Sequence, residues 1–300
     1  MKRIVLIFIV LLAVFTFKSF AQKIEKVAGG KKKIVFIAGP DSHGKGDHEH
    51  KGGCTLLAKA INDSVPNAEA IVFDGGWPKD ISILDDADAI VMYADGGDSH
   101  MVIPHLAEMD KLMQKGVGLV VLHFALEVPQ GEAGNDFKKW IGGYFEINWS
   151  VNPSWEPNFA SFPVHPVSRG LKPFAVEDEW YYHMRFTEDE KNITPILQAL
   201  PPEKTLNRPE GTHSSNPAVR EAVITKKQPQ TLAWTYERPD GGRGFGYSGG
   251  HAHKNWKNDN IRKLVLNAIS WSAKIDIPDG GIPSATPTDA ELNALTKRIN

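Results

Sequence analysis

The sequence predicts an α/β protein with a doubly wound, mostly parallel sheet and an irregular, aromatic-rich insertion. Three observations support this. Short apolar runs rich in β-branched residues alternate with segments whose apolar residues recur at helical spacing. Glycine-rich and polar stretches follow the apolar runs, as in βαβ units. The chain has 300 residues and one cysteine, Cys54, so a large core rather than internal disulfides must stabilise it.

The N-terminal half contains four predicted strands. The run KIVFIAG, residues 33–39, is continuously apolar, which is typical of a strand buried on both faces. The runs EAIVFDGG, DAIVMYADGG and VGLVVLHFA give the next three. Residues 102–115 are predicted as a helix. The helix after the first strand has one apolar stripe, formed by Cys54, Leu57, Ala58 and Ile61.

Residues 128–175 interrupt the alternation, because tryptophans and other aromatic residues are scattered there among Gly, Pro and Asn. We interpret them as an insertion packed over one edge of the sheet. Beyond it, TLAWTYERPDGGRGFGYSGG predicts two strands joined by a Pro-Asp-Gly-Gly turn. A closing helix follows, with Asn258 or Asp259 as its N-cap.

The first residues predict export. Lys2 and Arg3 precede an apolar run at 4–17, and Ser-Phe-Ala ends at residue 21. This pattern indicates a signal peptide, residues 1–21, cleaved before Gln22; an uncleaved anchor is the alternative, although a membrane span needs about 20 apolar residues. The mature chain is expected in the periplasm or outside the cell, without stable membrane insertion. Its net charge of −2 before cleavage gives no basic face for nucleic acid.

Ligands of open α/β sheets bind beyond the carboxyl ends of the strands. Chemically capable side chains follow every predicted strand, so we expect them to form one site there. They are His43, His48 and His50 after the first strand, Asp74 and Trp77 after the second, Asp95 and His100 after the third, His123 and Glu127 after the fourth, and His251 and His253 after the hairpin.

The loop PDSHGKGDHEHKGGC carries three of the eleven histidines. His48 and His50 are two residues apart, so on an extended chain both point to one face and could begin a zinc or iron site. We favour this pair over His43. The alternative is a solvated loop of mixed charge, in which His50 packs beside the apolar stripe of the next helix.

His123 stands where a buried strand turns toward a helix, the corner at which α/β hydrolases present a nucleophile. Its alternative role is a histidine satisfied by a backbone carbonyl. If EDEWYYHMRF is a strand, Glu179, Tyr181 and His183 share one face and suit acid–base chemistry or a metal, unless the strand is merely exposed and amphipathic. Two glycines before His251 allow close backbone approach to a ligand.

Several of these segments together resemble the ThuA-like (trehalose-utilisation) family of the class I glutamine-amidotransferase-like superfamily. They are GVGLVVLHFA, HPVSRGLKPF, DEWYY, GRGFGYSGGH and RKLVLNAISW. The resemblance covers residues 32–275 and leaves 276–300 as a C-terminal tail with at most a short helix. It implies a flavodoxin-like fold and a link to bacterial carbohydrate metabolism.

The resemblance also carries over four polar positions: His123, His165, Glu179 and His251. Amidotransferases of this superfamily place a cysteine nucleophile at the elbow that His123 occupies here. Because Cys54 lies elsewhere in the chain, no thiolate can form the acyl intermediate at the elbow, and glutaminase chemistry is excluded.

The leading hypothesis is therefore an exported, metal-assisted enzyme, a lyase, hydratase, isomerase or hydrolase, acting on a glycoside or 3-keto-sugar derivative. The predicted catalytic residues are His123, Glu179 and His251. A divalent ion, with zinc the first choice, would be held by His48, His50, His123 and His251. Predicted substrate contacts are Trp77, Asp95, His165, Tyr182, His183 and Trp256. The alternative is a non-catalytic carbohydrate-binding protein whose tryptophans stack on sugar rings.

Overall fold

A seven-stranded sheet forms the centre of the fold in a computed structural model that describes residues 30–296. The predicted signal peptide lies outside these residues. In chain order the strands are β1 (Lys32–Ala38), β2 (Ala68–Asp74), β3 (Ala89–Tyr93), β4 (Gly118–Leu122), β5 (Ile193–Ala199), β6 (Gln230–Glu237) and β7 (Arg243–Tyr247). Their spatial order is β2-β1-β3-β4-β7-β6-β5, and β6 runs in the direction opposite to the other six strands.

The five strands from β2 to β7 are parallel and follow the flavodoxin-like order, which confirms the predicted fold class. The run predicted as a strand buried on both faces, β1, is buried from Ile34 to Ala38, and every residue of β3 and β4 is buried as well. The β6–β7 hairpin is also confirmed. Thus the apolar runs form the interior, and the polar residues that follow them collect at one edge.

Helices cover both faces of the sheet. The longer ones are α1 (His50–Ser64), α2 (Leu106–Gln114), α3 (Glu132–Ile141) and α4 (Asp259–Ser272). Apolar residues of α1 and α4 pack in one core cluster, and those of α2 and α3 pack in the other. Asn258 caps α4 by accepting from two backbone N–H groups of its first turn, which settles the two predicted capping choices. The helix predicted from residue 102 begins later, after the 3₁₀ turn Ile103–His105.

The segment predicted as an irregular insertion contains a regular crossover helix, α3, and this corrects its boundaries. The signal was present at helical spacing, because Ala133, Phe137 and Trp140 are all buried. The irregular part begins after α3. It contains three two-stranded sheets, pairing Gly143–Tyr144 with Arg185–Phe186, Ser154–Trp155 with Asp178–Glu179, and Asn158–Phe159 with Phe174–Ala175. A short helix, Pro217–Arg220, interrupts the connection between β5 and β6.

The segment EDEWYYHMRF is not one continuous strand, contrary to the prediction. Only Asp178–Glu179 and Arg185–Phe186 are extended pairs, and His183 between them has a left-handed backbone with φ of 60°. The chain therefore turns within the segment. Of the three side chains predicted to share one face, Glu179 and Tyr181 remain close together, whereas His183 stacks on Trp149.

The C-terminal segment, predicted as a tail with at most a short helix, packs on the domain and contains one short helix. Ile277, Ile282 and Leu292 are buried in the same core cluster as α1 and α4. A capping box at Thr288 begins the short helix α5 (Asp289–Ala294). Across residues 30–296, the structure contains no helix with both the length and the apolar character required to cross a membrane.

Candidate metal centre

Three histidines and one glutamate converge at the carboxyl edge of the parallel strands. His48 Nε2 lies 2.9 Å from His251 Nδ1 and 3.2 Å from His123 Nε2. Glu179 Oε2 lies 3.3 Å from His251 Nδ1 and 3.6 Å from His123 Nε2. One ligand atom from each of the four residues lies within 4.8 Å of the others, which is a spacing that a single ion could serve. We refer to these four residues as the histidine cluster.

The outer nitrogens of the histidines are directed at acceptors. His123 Nδ1 donates to the carbonyl of Ser248 at 2.8 Å, and His48 Nδ1 donates to Asp95 at 2.9 Å. Because the outer nitrogen of both rings carries a proton, the inner Nε2 of either ring presents a lone pair to the cluster when that ring is in its neutral form. Carboxylate or carbonyl partners of this kind orient histidine ligands in metal sites.

The charge states agree with this assignment. Burial, followed by repulsion from His48, holds the pKa of His123 well below its ordinary value, so its ring is neutral. Burial also lowers the pKa of His251, but the Glu179 and Asp47 carboxylates raise it by more, and the net pKa lies above the ordinary value. The cluster therefore attracts positive charge to the His251 side, next to Glu179.

The distance between two histidine nitrogens of the cluster fits a divalent metal ion. When both rings are neutral, with their protons on Nδ1, the Nε2 lone pairs of His48 and His123 face each other at 3.2 Å. Such an arrangement is repulsive unless a cation, either a proton on His48 or a metal ion, lies between the two nitrogens. Nitrogens that each lie about 2.0–2.1 Å from one ion are about 3 Å apart, which is the spacing found here.

Backbone strain accompanies the placement of the imidazoles. Among the described residues, nine non-glycine residues have positive φ, and five of them are histidines. His48 (φ 50°) and His123 (φ 54°) belong to the cluster, and the strain at His123 confirms a sharp corner after β4. A non-glycine residue in this region costs about 1–3 kcal/mol and is concentrated at functional sites.

Asp178 joins the two elements that bring Glu179 and His251 together. Its buried carboxylate accepts from the backbone N–H groups of Gly250 at 2.8 Å, Ala252 at 3.1 Å and Glu179 at 2.9 Å. One side chain thus fixes the loop of His251 against the strand of Glu179. The sequence around Asp178 does not predict this role, because the role depends on a loop more than seventy residues away in the chain.

The predicted metal ligands are mostly, but not entirely, those that converge. His48, His123 and His251 are in the cluster, whereas His50 is not, and Glu179 takes its place. His50 is the first residue of α1; its Nδ1 donates to the carbonyl of Pro40. The preference for His50 over His43 assumed an extended segment, but His48 has a left-handed backbone, and His50 Nε2 lies 3.6 Å from Asp95 rather than in the cluster. The ring of His43 instead lies 3.7 Å from that of His48, in a second group with Asp95.

The predicted substrate residues are dispersed. Asp95 lies at the site as the partner of His48. Trp77 stacks on His105, and His183 stacks on Trp149. Tyr182 and Trp256 are buried, with Tyr182 bonded to Thr205, so neither offers a ring face to a sugar. His165 caps a 3₁₀ turn and contacts Trp271 near the C-terminal end of α4, away from the cluster.

Two further groups lie near the cluster. Neither was assigned a catalytic, substrate-binding or metal role from the sequence, although Tyr181 was expected to share a strand face with Glu179. Tyr181 places its hydroxyl 3.2 Å from His123 Nε2. His213, in a loop between β5 and β6, pairs with Glu127 at 2.9 Å. The position of Tyr181 beside Glu179 in the sequence was a usable signal. Nothing in the sequence around His213 connects it with this edge.

Comparisons with known proteins agree with the architecture. The ThuA family model, described as trehalose utilisation, matches residues 56–272. A ThuA-like protein from Bacteroides uniformis ATCC 8492 has a TM-score of 0.57 and 13% identity, over 85% of this chain and 96% of that one. One from Parabacteroides merdae ATCC 43184 has a TM-score of 0.54 and 17% identity, over 86% and 94%. No curated protein matches the chain.

The parallel core in flavodoxin-like order, with a sharp corner after β4, is that of a class I glutamine-amidotransferase-like protein with histidine at the nucleophile position. Within that class, the chain belongs to the ThuA family. The family description links it to carbohydrate metabolism. Cys54 is fully buried in α1, and burial raises the pKa of its thiol, so the cysteine has no nucleophilic role at the elbow.

Proposed function

We propose that the chain is an exported, metal-assisted enzyme of carbohydrate metabolism that acts on a glycoside or a 3-keto-sugar derivative. The observation that carries the proposal is the pair of facing Nε2 lone pairs of His48 and His123, with His251 and Glu179 beside them. The family description supports the carbohydrate part of the proposal.

His48, His123 and His251 would hold the ion, and zinc suits three imidazole ligands with one position left for substrate. When bound, such an ion polarises a carbonyl or hydroxyl oxygen. Glu179 keeps 19% of its side chain exposed, so its carboxylate can accept a proton from a substrate above the cluster. The Tyr181 hydroxyl can donate a hydrogen bond to a substrate oxygen from the buried side.

Elimination, hydration, isomerisation and hydrolysis of a 3-keto-sugar share two requirements. Each needs a polarised oxygen and a group that moves a proton on the neighbouring carbon or on the leaving oxygen. The histidine cluster offers both within one site.

A non-catalytic carbohydrate-binding protein is the alternative, and it requires exposed aromatic rings. Trp155, Trp180 and Trp256 are at most 4% exposed. Trp149 is covered on one side by His183 and on the other by the Arg185 guanidinium, 3.6 Å from the ring centre. The burial of these rings favours the enzyme.

The test is metal analysis of the purified mature chain, followed by turnover of 3-keto-glycosides and their parent glycosides with and without a chelator. We expect about one equivalent of metal per chain, loss of turnover on chelation and recovery with added zinc. His50→Ala is the matched control for His48→Ala, because His50 is a buried histidine two residues away that does not belong to the histidine cluster. Sugar binding without retained metal and without turnover would contradict the enzyme.

The export part of the proposal has its own test. Mass spectrometry of protein from an extracytoplasmic fraction should find Gln22 at the N-terminus. Intact Met1 on soluble cytoplasmic protein would refute it.

A further inference from the structure

A second pair of titratable groups lies near the histidine cluster and is not used by it. The Glu127 side chain is 3% exposed, and both of its oxygens accept from His213 Nε2, at 3.0 and 2.9 Å. The His213 side chain remains 32% exposed. Within residues 30–296, its other nitrogen, Nδ1, makes no hydrogen bond. A buried carboxylate thus holds one side of a half-exposed imidazole and leaves the other side available.

The position of Glu127 is fixed relative to the cluster. It directly follows the 3₁₀ turn that begins at His123, and its carbonyl accepts from the backbone N–H of Gly97 at 2.9 Å. Gly96 allows this approach, because a Cβ there would lie 2.2 Å from the carbonyl oxygen of Phe124. The loops after β3 and β4 therefore clamp Glu127 at the same sheet edge as His123.

A row of aromatic rings joins His213 to the cluster. The His213 ring stacks on Phe145 with centres 5.4 Å apart, Phe145 contacts Tyr181 at 5.1 Å, and Tyr181 contacts His123 at 4.5 Å. The hydrogen bond to Glu127 raises the pKa of His213, and the Glu179 carboxylate adds to the increase, while burial and Arg208 oppose it.

The loop of His213 is strained where the ring is presented. His213 has φ of 70°, and its carbonyl accepts from the backbone N–H of Asn152 at 3.0 Å, which holds the loop against the insertion. Left-handed backbone at a histidine costs about 1–3 kcal/mol and persists only where the surrounding structure imposes it. A plain surface ion pair does not require this conformation.

We propose that His213 and Glu127 form an acid–base dyad that serves a substrate bound at the histidine cluster. Glu127 keeps the proton on Nε2, so Nδ1 is the nitrogen that exchanges a proton with substrate, as in other carboxylate-oriented histidines. In the acid direction, the Nδ1–H bond breaks and an O–H bond forms on the leaving oxygen. The ring then becomes neutral with Nε2–H still donated to Glu127. The inference rests on the proposed function.

The test compares His213→Gln and Glu127→Gln with wild type, using a 3-keto-glycoside that wild type converts. Glutamine can still donate a hydrogen bond to Glu127 but cannot transfer a proton. His105→Gln is the matched control, because His105 is 31% exposed and pairs with Glu108 at 2.8 Å. Bound zinc, kcat and its pH profile are measured for each protein, and the pKa of His213 is measured by NMR in the proteins that retain this residue.

We expect both dyad variants to retain zinc and lose about 10²–10⁴-fold in kcat, with one limb of the pH profile absent, while His105→Gln is unaffected. A His213→Gln variant with wild-type kcat overturns the dyad, and the pair then only holds its loop. If wild type binds zinc but converts no glycoside, the proposed function fails, and the dyad is judged by NMR alone. A raised His213 pKa that falls in Glu127→Gln supports it, and an unshifted one overturns it.

Discussion

Replacing Asp178 by asparagine should weaken metal binding without removing any ligand. The carboxylate uses Oδ2 for the N–H of Gly250, and Oδ1 for those of Ala252 and Glu179. An amide of the same shape has one acceptor oxygen, and its NH₂ group must face the N–H donors at the other position. Whichever way the amide turns, at least one backbone N–H loses its partner.

The number of hydrogen bonds lost by Asp178→Asn determines how much stability and zinc affinity should decrease. A hydrogen bond to a charged group contributes about 1.5–3 kcal/mol, so losing one should lower the free energy of unfolding by about that amount. The released loop carries His251, and the released strand carries Glu179. Loss of a partner that orients metal ligands typically lowers metal affinity about 10–100-fold, and we expect a decrease of this size for zinc.

The assay is a zinc titration against a competing chelator, paired with urea unfolding of the same samples. Asp136→Asn is the control, because Asp136 is also buried but pairs with Lys139 on α3. It should lose stability without losing zinc affinity. If Asp178→Asn unfolds more easily yet binds zinc as tightly as wild type, Asp178 holds the fold only, and our account of its role is wrong.

Three other results are expected. His48→Ala should abolish zinc retention, whereas His50→Ala should preserve it, because His50 donates its Nδ1–H to the Pro40 carbonyl and is not one of the four residues of the histidine cluster; equal losses in metal analysis would refute this assignment. Cys54→Ser should leave turnover intact, since the thiol is buried and un-ionised; its loss in a folded variant would refute that reading. Glu127→Gln should lower the free energy of unfolding in urea more near pH 6 than near pH 9. The pKa of His213 in the folded chain lies above its unfolded value of about 6.5, so the stability that the pair contributes is present below the unfolded value and disappears as pH rises through the folded pKa. A difference in stability that does not depend on pH would contradict this expectation.

Much of the fold could be predicted because its signals are local. The buried runs of β1 and β4 and the apolar stripe of α1 are visible as short-range periodicities, and burial of these residues supplies the main driving force for their packing. Parallel strand order then follows from short right-handed connections. Helix α3 was missed because glycine and asparagine surround its apolar positions, and packing of Phe137 and Trp140 overrode this weak propensity.

The candidate site could be predicted from the sequence only in part. His48, His123 and His251 each follow a predicted strand, and this position predicted that they would lie close together, because residues that follow parallel strands share one edge of the sheet. The choice between His43 and His50 depended on the left-handed conformation of His48, which turns the loop. Residue spacing does not specify such backbone angles, so it could not predict the direction in which each imidazole of this segment points.

The sequence by itself determined the fold class, the elbow at His123 and the absence of a cysteine nucleophile there. These depend on the identity and periodicity of residues close together in the chain. Only the tertiary structure decided that Glu179 replaces His50 in the cluster and that Asp178 joins the loop of His251 to the strand of Glu179. It also decided that His213 pairs with Glu127, 86 residues away in the chain. Such contacts arise where loops from separate strands meet, and their geometry is set by packing of the whole domain rather than by the preferences of any one segment.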